Sequence, residues 1–173
     1  KHRPSDLSSV PPGPGARKMS KRKSPDPDDE FDREDFAEMR SLTRKQVLDM
    51  LRRGETLEEA DLRGMELSGV SFEGANLTNA KLGEANLHRA SFRRANLSGA
   101  SFWNANLREA TLEGANLEEA DFDYANLDGV SFRDAKIKKA IFPVKRLPVE
   151  SIQRSVRTGE RVRMEPLRHE DED

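Results

Sequence analysis

From Leu57 to Phe142 a large apolar residue recurs at every fifth position, running Leu57, Leu62, Leu67, Phe72 and onward to Phe132, Ile137 and Phe142. The 18 consecutive centres keep phase without a slip. Every alanine of the chain except Ala16 and Ala37 stands two residues before one of these centres, from Ala60 to Ala140. A period of five suits neither ordinary element. In an α-helix, residues five apart drift rapidly round all faces, and in a strand successive centres point to opposite sides. The period does suit a coil that turns a corner after each short side, with the small residue and the large one both aimed inward. Four such sides close one coil, and coils then stack at about the 4.8 Å strand spacing.

Composition alone misleads here. Of the 173 residues, 36% are charged and only 34% hydrophobic, an average that reads as disorder. Phase resolves the conflict, because a fully buried Leu or Phe contributes about 1.5–3 kcal/mol and the centres stack into continuous columns. A thin core inside a charged sleeve is the expected result. Absence of cysteine excludes disulfides, thiolate metal sites and cysteine nucleophiles. Net charge of -2 argues against a globally basic nucleic-acid binder. No run of 18 apolar residues and no hydrophobic leader occur, so no membrane insertion and a cytoplasmic location are expected.

The blocks Ala75-Asn76-Leu77, Ala95-Asn96-Leu97, Ala105-Asn106-Leu107 and Ala115-Asn116-Leu117 repeat one motif. Residues 55–142 thereby resemble the pentapeptide-repeat family, whose pattern is A-(D/N)-L-x-x. The resemblance implies an all-β solenoid, a right-handed quadrilateral β-helix of about 4.5 coils, and it implies no catalytic residues. Glu55, Met65, Val70 and Val130 replace the small inward residue. Bulk at Met65 and Val70 predicts a distorted or widened first coil.

Sorting at four repeats per coil separates the core residues. Leu57, Leu77, Leu97, Leu117 and Ile137 share one face, and Leu67, Leu87, Leu107 and Leu127 the opposite one. Phe102, Phe122 and Phe142 form a column facing Phe72, Phe92 and Phe132. The same sorting predicts a sign-alternating column of Glu73, Arg93, Glu113 and Arg133, with Arg89 over Glu109 and Arg108 over Asp128. Opposite charges on neighbouring strands favour register by roughly 0.2–1 kcal/mol each. Residues 55–142 carry 15 acidic and 10 basic side chains, a net of -5.

Both ends of such a rod need covering. Thr43 and Gln46 form a capping box, Leu42 and Val47 a staple, and Gly54 a stop for a helix over about 44–53 presenting Val47, Leu48 and Leu51. Residues 41–54 are thus read as the N-terminal cap. After Phe142, residues 143–173 are read as a C-terminal cap and polar tail, with a short helix over 149–158 and with Val144, Leu147 and Ile152 closing the end. A homodimer through a rod end is the alternative. Residues 1–40 read as a disordered charged arm in which Arg17, Lys18, Lys21, Arg22 and Lys23 are candidate contacts and Asp26–Asp35 turns acidic. The chain does not start with Met, which leaves processing or a start at Met19 open.

Trp103 and Tyr124 are the only Trp and Tyr, and both fall at outward positions on adjacent coils. With Asn104, Asp121 and Asp123 beside them they form the candidate partner-binding patch, since exposed aromatics mark binding hot spots. His88 is outward and alone on the rod, and no metal cluster, phosphate loop or nucleophile–base pairing occurs. No catalytic residue, cofactor or metal is therefore expected. The leading expectation is a non-catalytic interaction scaffold binding a protein or larger assembly, with nucleic acid unlikely. The alternative, implied by the resemblance, is a DNA mimic that occupies DNA gyrase and protects it from inhibitors.

Overall fold

The computed structural model describes residues 42–166, beginning in the segment just before a helix and ending shortly after a second one. Between the two helices the chain is a solenoid. Its bridges are all parallel and all join residues 20 apart, from Asp61 with Lys81 to Asp121 with Ile141. Each side of the coil contributes a single bridging residue, so among the described residues the all-β solenoid contains no continuous strand. The reason is length: five residues leave room for one bridge and one corner.

The corner is built from a four-residue turn. The N–H of the small residue returns to the carbonyl of the preceding centre, as from Ala80 to Leu77 at 3.0 Å. The residue two past each centre from Leu57 to Ile137 has a positive φ, between 54° at Asn104 and 75° at Gly129. That conformation favours glycine or asparagine, yet Glu, Arg, Lys, Asp and Tyr also occupy it along the rod.

The remaining polar position has a role that the periodicity conceals. Where the residue before a centre is Asn, Asp, Glu66 or Thr56, its side-chain oxygen accepts the backbone N–H two residues on, as from Arg108 to Asn106 Oδ1 at 3.2 Å. At Asn76, Asn86, Asn106 and Asn116 the amide also reaches the coil before, as from Asn106 to Asn86 at 3.1 Å and from Asn116 to Asn96 at 3.3 Å. An Asx turn and a side-chain ladder thus explain Asn in the repeat.

The core follows the expected sorting. Every centre from Leu57 to Phe132 is buried. Phe72 and Phe92 stack with ring centroids 4.8 Å apart, as do Phe102 and Phe122, matching the spacing between strands. Across the core, Phe92 meets Phe102 edge-on at 5.9 Å and 86°. The first coil is not widened: Leu67 N–H reaches Asn86 O at 2.8 Å and Phe72 N–H reaches Ser91 O at 2.7 Å. Val70 is buried and Met65 half-buried near the open end, so the bulk is absorbed without opening the ladder.

Helix α1, Arg44–Arg53, starts at a Thr43–Gln46 capping box and stops at Gly54, whose φ is 68°. Val47 is fully buried, and Leu42, Leu48, Met50 and Leu51 pack against the core. Arg44 adds a hydrogen bond to Glu66 O at 2.6 Å, tying the helix to the first coil. Helix α2, Val149–Thr158, follows Pro148 and ends at Gly159. Leu147, Ile152 and Val162 are buried at the far end, whereas Val144 is 59% exposed and does not help to close it. Val144 N–H turns back to Phe142 O at 2.8 Å, within the turn that leads away from the last coil.

Candidate partner-binding face

Trp103 and Tyr124 meet edge-to-face, with ring centroids 6.1 Å apart at 68°. Both stay open to solvent, at 44% and 69% exposure. Their placement comes from the repeat. Trp103 follows the buried centre Phe102, and Tyr124 occupies the left-handed corner of the next coil with φ 59°. A bulky side chain is uncommon there, and the conformation costs about 1–2 kcal/mol relative to a right-handed one. The corner is held from both sides. Asp121 Oδ1 accepts Asp123 N–H at 2.8 Å, and Asp123 Oδ1 accepts Tyr124 N–H at 3.1 Å. Asn104 N–H donates to Asp123 O at 3.0 Å, which fixes the two corners side by side. Gly83, one coil earlier in the Trp103 column, is buried, and a Cβ there would stand 3.3 Å from Trp103 O. The structure therefore gathers all five residues of the sequence-derived patch. The arm residues Arg17, Lys18, Lys21, Arg22 and Lys23 lie outside the described residues.

The charge ladders form as the columns predict in part. Arg89 Nε meets Glu109 at 2.7 Å, Arg93 meets Glu113 at 3.2 Å and Arg108 approaches Asp128 at 4.0 Å. Arg133 instead turns to Asp134 at 3.7 Å. The Arg89 hydrogen bond holds the Glu109 carboxyl below the ordinary glutamate value. Glu66 is held down in the same direction, first by Ser68 and then by Asn86.

Sequence reasoning missed one cluster. Beyond α2 the chain folds back along the Leu107–Leu127 side, where Arg161 donates to Gly129 O at 2.6 Å and Arg163 approaches Asp128 at 3.7 Å. With Arg89 and Glu109 they line a cavity of about 330 Å³. No periodic signal covers residues 161–163, so only the three-dimensional return path reveals it. Among the described residues no group of three His, Asp or Glu could hold a metal ion. None of their helices is long and apolar enough to cross a membrane.

Stacked five-residue sides, a core of small and large residues, and chemistry confined to outward side chains define a β-solenoid repeat protein. Residues 65–142 match the family model described as a pentapeptide repeat region, and this segment belongs to the pentapeptide-repeat family. Among solved structures, the chain is similar to HetL, a pentapeptide repeat protein involved in heterocyst differentiation regulation from Nostoc sp. strain PCC 7120. Identity is 39% over 51% of this chain and 41% of that one, with a TM-score of 0.51. A pentapeptide repeat protein of the Arabidopsis thaliana thylakoid lumen is 38% identical over 47% of this chain and 56% of that one, with a TM-score of 0.46. Rfr23 of Cyanothece 51142 is 36% identical over 48% and 57%, with a TM-score of 0.47. The chain spans about half the length of these structures. No curated protein matches it.

Proposed function

We propose that the chain is a non-catalytic protein-interaction scaffold, a right-handed rod of about 4.5 coils over residues 55–142. Its ends are capped by residues 41–54 and 143–173, and residues 1–40 serve as a tethering arm. One observation carries the reading. Trp103 and Tyr124 touch each other but remain open to solvent on a rod whose large apolar centres from Leu57 to Phe132 are all inside. Rigid aromatics with polar neighbours suit a partner hot spot. HetL, a structure to which this chain is similar, is involved in heterocyst differentiation regulation, which fits a role exerted through binding. The DNA-mimic alternative draws less support, because Arg89, Arg93 and Lys139 pair with the acids that a continuous negative face would need. Capture of partner by full-length protein carrying both Trp103→Ala and Tyr124→Ala is expected to fall while the melting curve holds. Undiminished capture by the double variant would discard the patch.

A further inference from the structure

The covering of the last coil stops partway round. Over two sides, residues after Phe142 supply acceptors to its outward N–H groups. Val162 O takes Gly129 at 2.8 Å, Ser155 Oγ takes Phe132 at 3.1 Å and Val156 O takes Asp134 at 2.9 Å. On the next side, among the described residues, the N–H groups of Ile137 and Lys139 and the carbonyl of Ala135 meet no partner.

One coil earlier, the equivalent three groups are all satisfied by one three-residue stretch, Lys136 to Lys138. Ala115 O takes Lys136 N–H at 3.0 Å, Leu117 N–H donates to Lys136 O at 2.7 Å, and Glu119 N–H donates to Lys138 O at 2.9 Å. Three residues, a bridge followed by the start of a corner, therefore complete one side. At the open edge such a stretch would place its middle side chain on Ile137, which is only half-buried where Leu117 is fully covered. Its two outer side chains would stand over Lys136 and Lys138, both exposed and without an acidic partner among the described residues. Ile141, 54% exposed on the adjoining side, extends the apolar surface.

We propose that the Ala135–Lys139 edge docks an acid–apolar–acid segment of a partner protein, added as one further side of the coil. The main-chain bonds supply strand addition. In-register stacking of acids over Lys136 and Lys138 sets the sequence preference. Charge selects against a second copy meeting end to end: residues 133–173 hold 11 basic and 8 acidic side chains, so each end carries +3. The proposal rests on the scaffold reading only in taking the rod to bind protein, and it uses residues apart from the aromatic patch.

The test is amide NMR on the full chain, titrated with a synthetic peptide carrying Glu-Val-Glu in a Ser/Gly frame and with its Lys-Val-Lys counterpart. The first peptide is expected to shift the Ile137 and Lys139 amides and slow their hydrogen exchange. Binding should weaken by about tenfold when Lys136→Glu and Lys138→Glu are combined, and should weaken with salt. These lysines are exposed, and a melting curve confirms that the variant folds. Equal binding of the Lys-Val-Lys peptide, no binding, or shifts confined to other residues would overturn the proposal. Protection of the same amides that grows with protein concentration alone would overturn it in favour of a second copy. Loss of this binding with Trp103- and Tyr124-dependent capture intact leaves the scaffold reading standing.

Discussion

The side-chain amide of Asn106 donates to Oδ1 of Asn86 one coil back, 3.1 Å away, while its own oxygen takes the N–H of Arg108. One residue thus closes its own corner and ties two coils together. Asn106→Ala removes both bonds in a partly buried setting and is expected to cost about 1–2 kcal/mol. Asn106→Asp keeps the corner bond, loses the donor and should fall between wild type and alanine. Urea unfolding of the three proteins gives the order, and an alanine variant as stable as wild type would remove the ladder from the fold's energetics.

The centres and the alanines were legible because burial repeats at a fixed period, and Leu57 through Phe132 are all inside. The 20-residue columns follow from that period, and so does the stack of Phe102 on Phe122. What escaped is aperiodic or depends on the backbone. The Asx bond of Asn106 needs the turn geometry, and the return of Arg161 to Gly129 O needs the path after α2. Val144 stays open to solvent, and apolarity alone does not tell a closing residue from an exposed one on a turn. In the patch, the columns brought Trp103 near Tyr124, but not the left-handed corner that presents the tyrosine.

That corner makes Tyr124→Gly a variant that separates stability from binding. Glycine relieves a left-handed conformation worth about 1–2 kcal/mol. It also gives up a ring contact worth about 0.5–1.5 kcal/mol and adds unfolded-state entropy worth about 0.4–1 kcal/mol. The expected sum is near zero, so the melting temperature should move by only a few degrees while partner capture falls. A variant that melts far below wild type would show that Tyr124 belongs to the rod's stability instead.

Gly99 and Gly129 behave in the opposite sense. Their φ values are 67° and 75°. A Cβ at Gly99 would collide with Asn79 Oδ1, and one at Gly129 would stand 3.2 Å from Glu109 Cγ. Gly99→Ala and Gly129→Ala are each expected to destabilise by about 1–2 kcal/mol. Gly64, with a φ of 66° and no heavy atom within 4 Å of its added Cβ, should lose less on the same change. Equal losses at all three positions, measured by thermal melting, would show that the neighbouring coil contributes nothing.

Phe122 stands at the centre of the aromatic column, with Phe102 at 4.8 Å, Phe142 at 5.3 Å and Phe132 edge-on at 6.3 Å. Phe122→Ala is expected to cost about 3–5 kcal/mol by lost burial and the cavity left behind. Phe122→Leu should cost clearly less, since Leu112 already serves as a centre in the facing column of Phe72, Phe92 and Phe132. Chemical unfolding monitored by circular dichroism checks both, and a mild alanine loss would mean that the neighbouring coils collapse into the space.

The Glu109 carboxyl sits below its ordinary value because Arg89 donates to it at 2.7 Å, with His88 and Arg108 adding in the same direction. A carboxyl depressed on folding contributes stability above its unfolded value and loses it as pH falls through the folded one. The ladder should therefore strengthen the rod near neutrality, and its contribution should fade once pH passes below the ordinary glutamate value of about 4.3. In side-chain NMR, Glu109 is expected to titrate below that value in the wild type and to move up towards it in Arg89→Ala. The gap in urea midpoint between the two proteins should narrow on acidification, and also in high salt, because both side chains reach solvent. A Glu109 midpoint identical in the two proteins would separate this ion pair from the acid response of the fold.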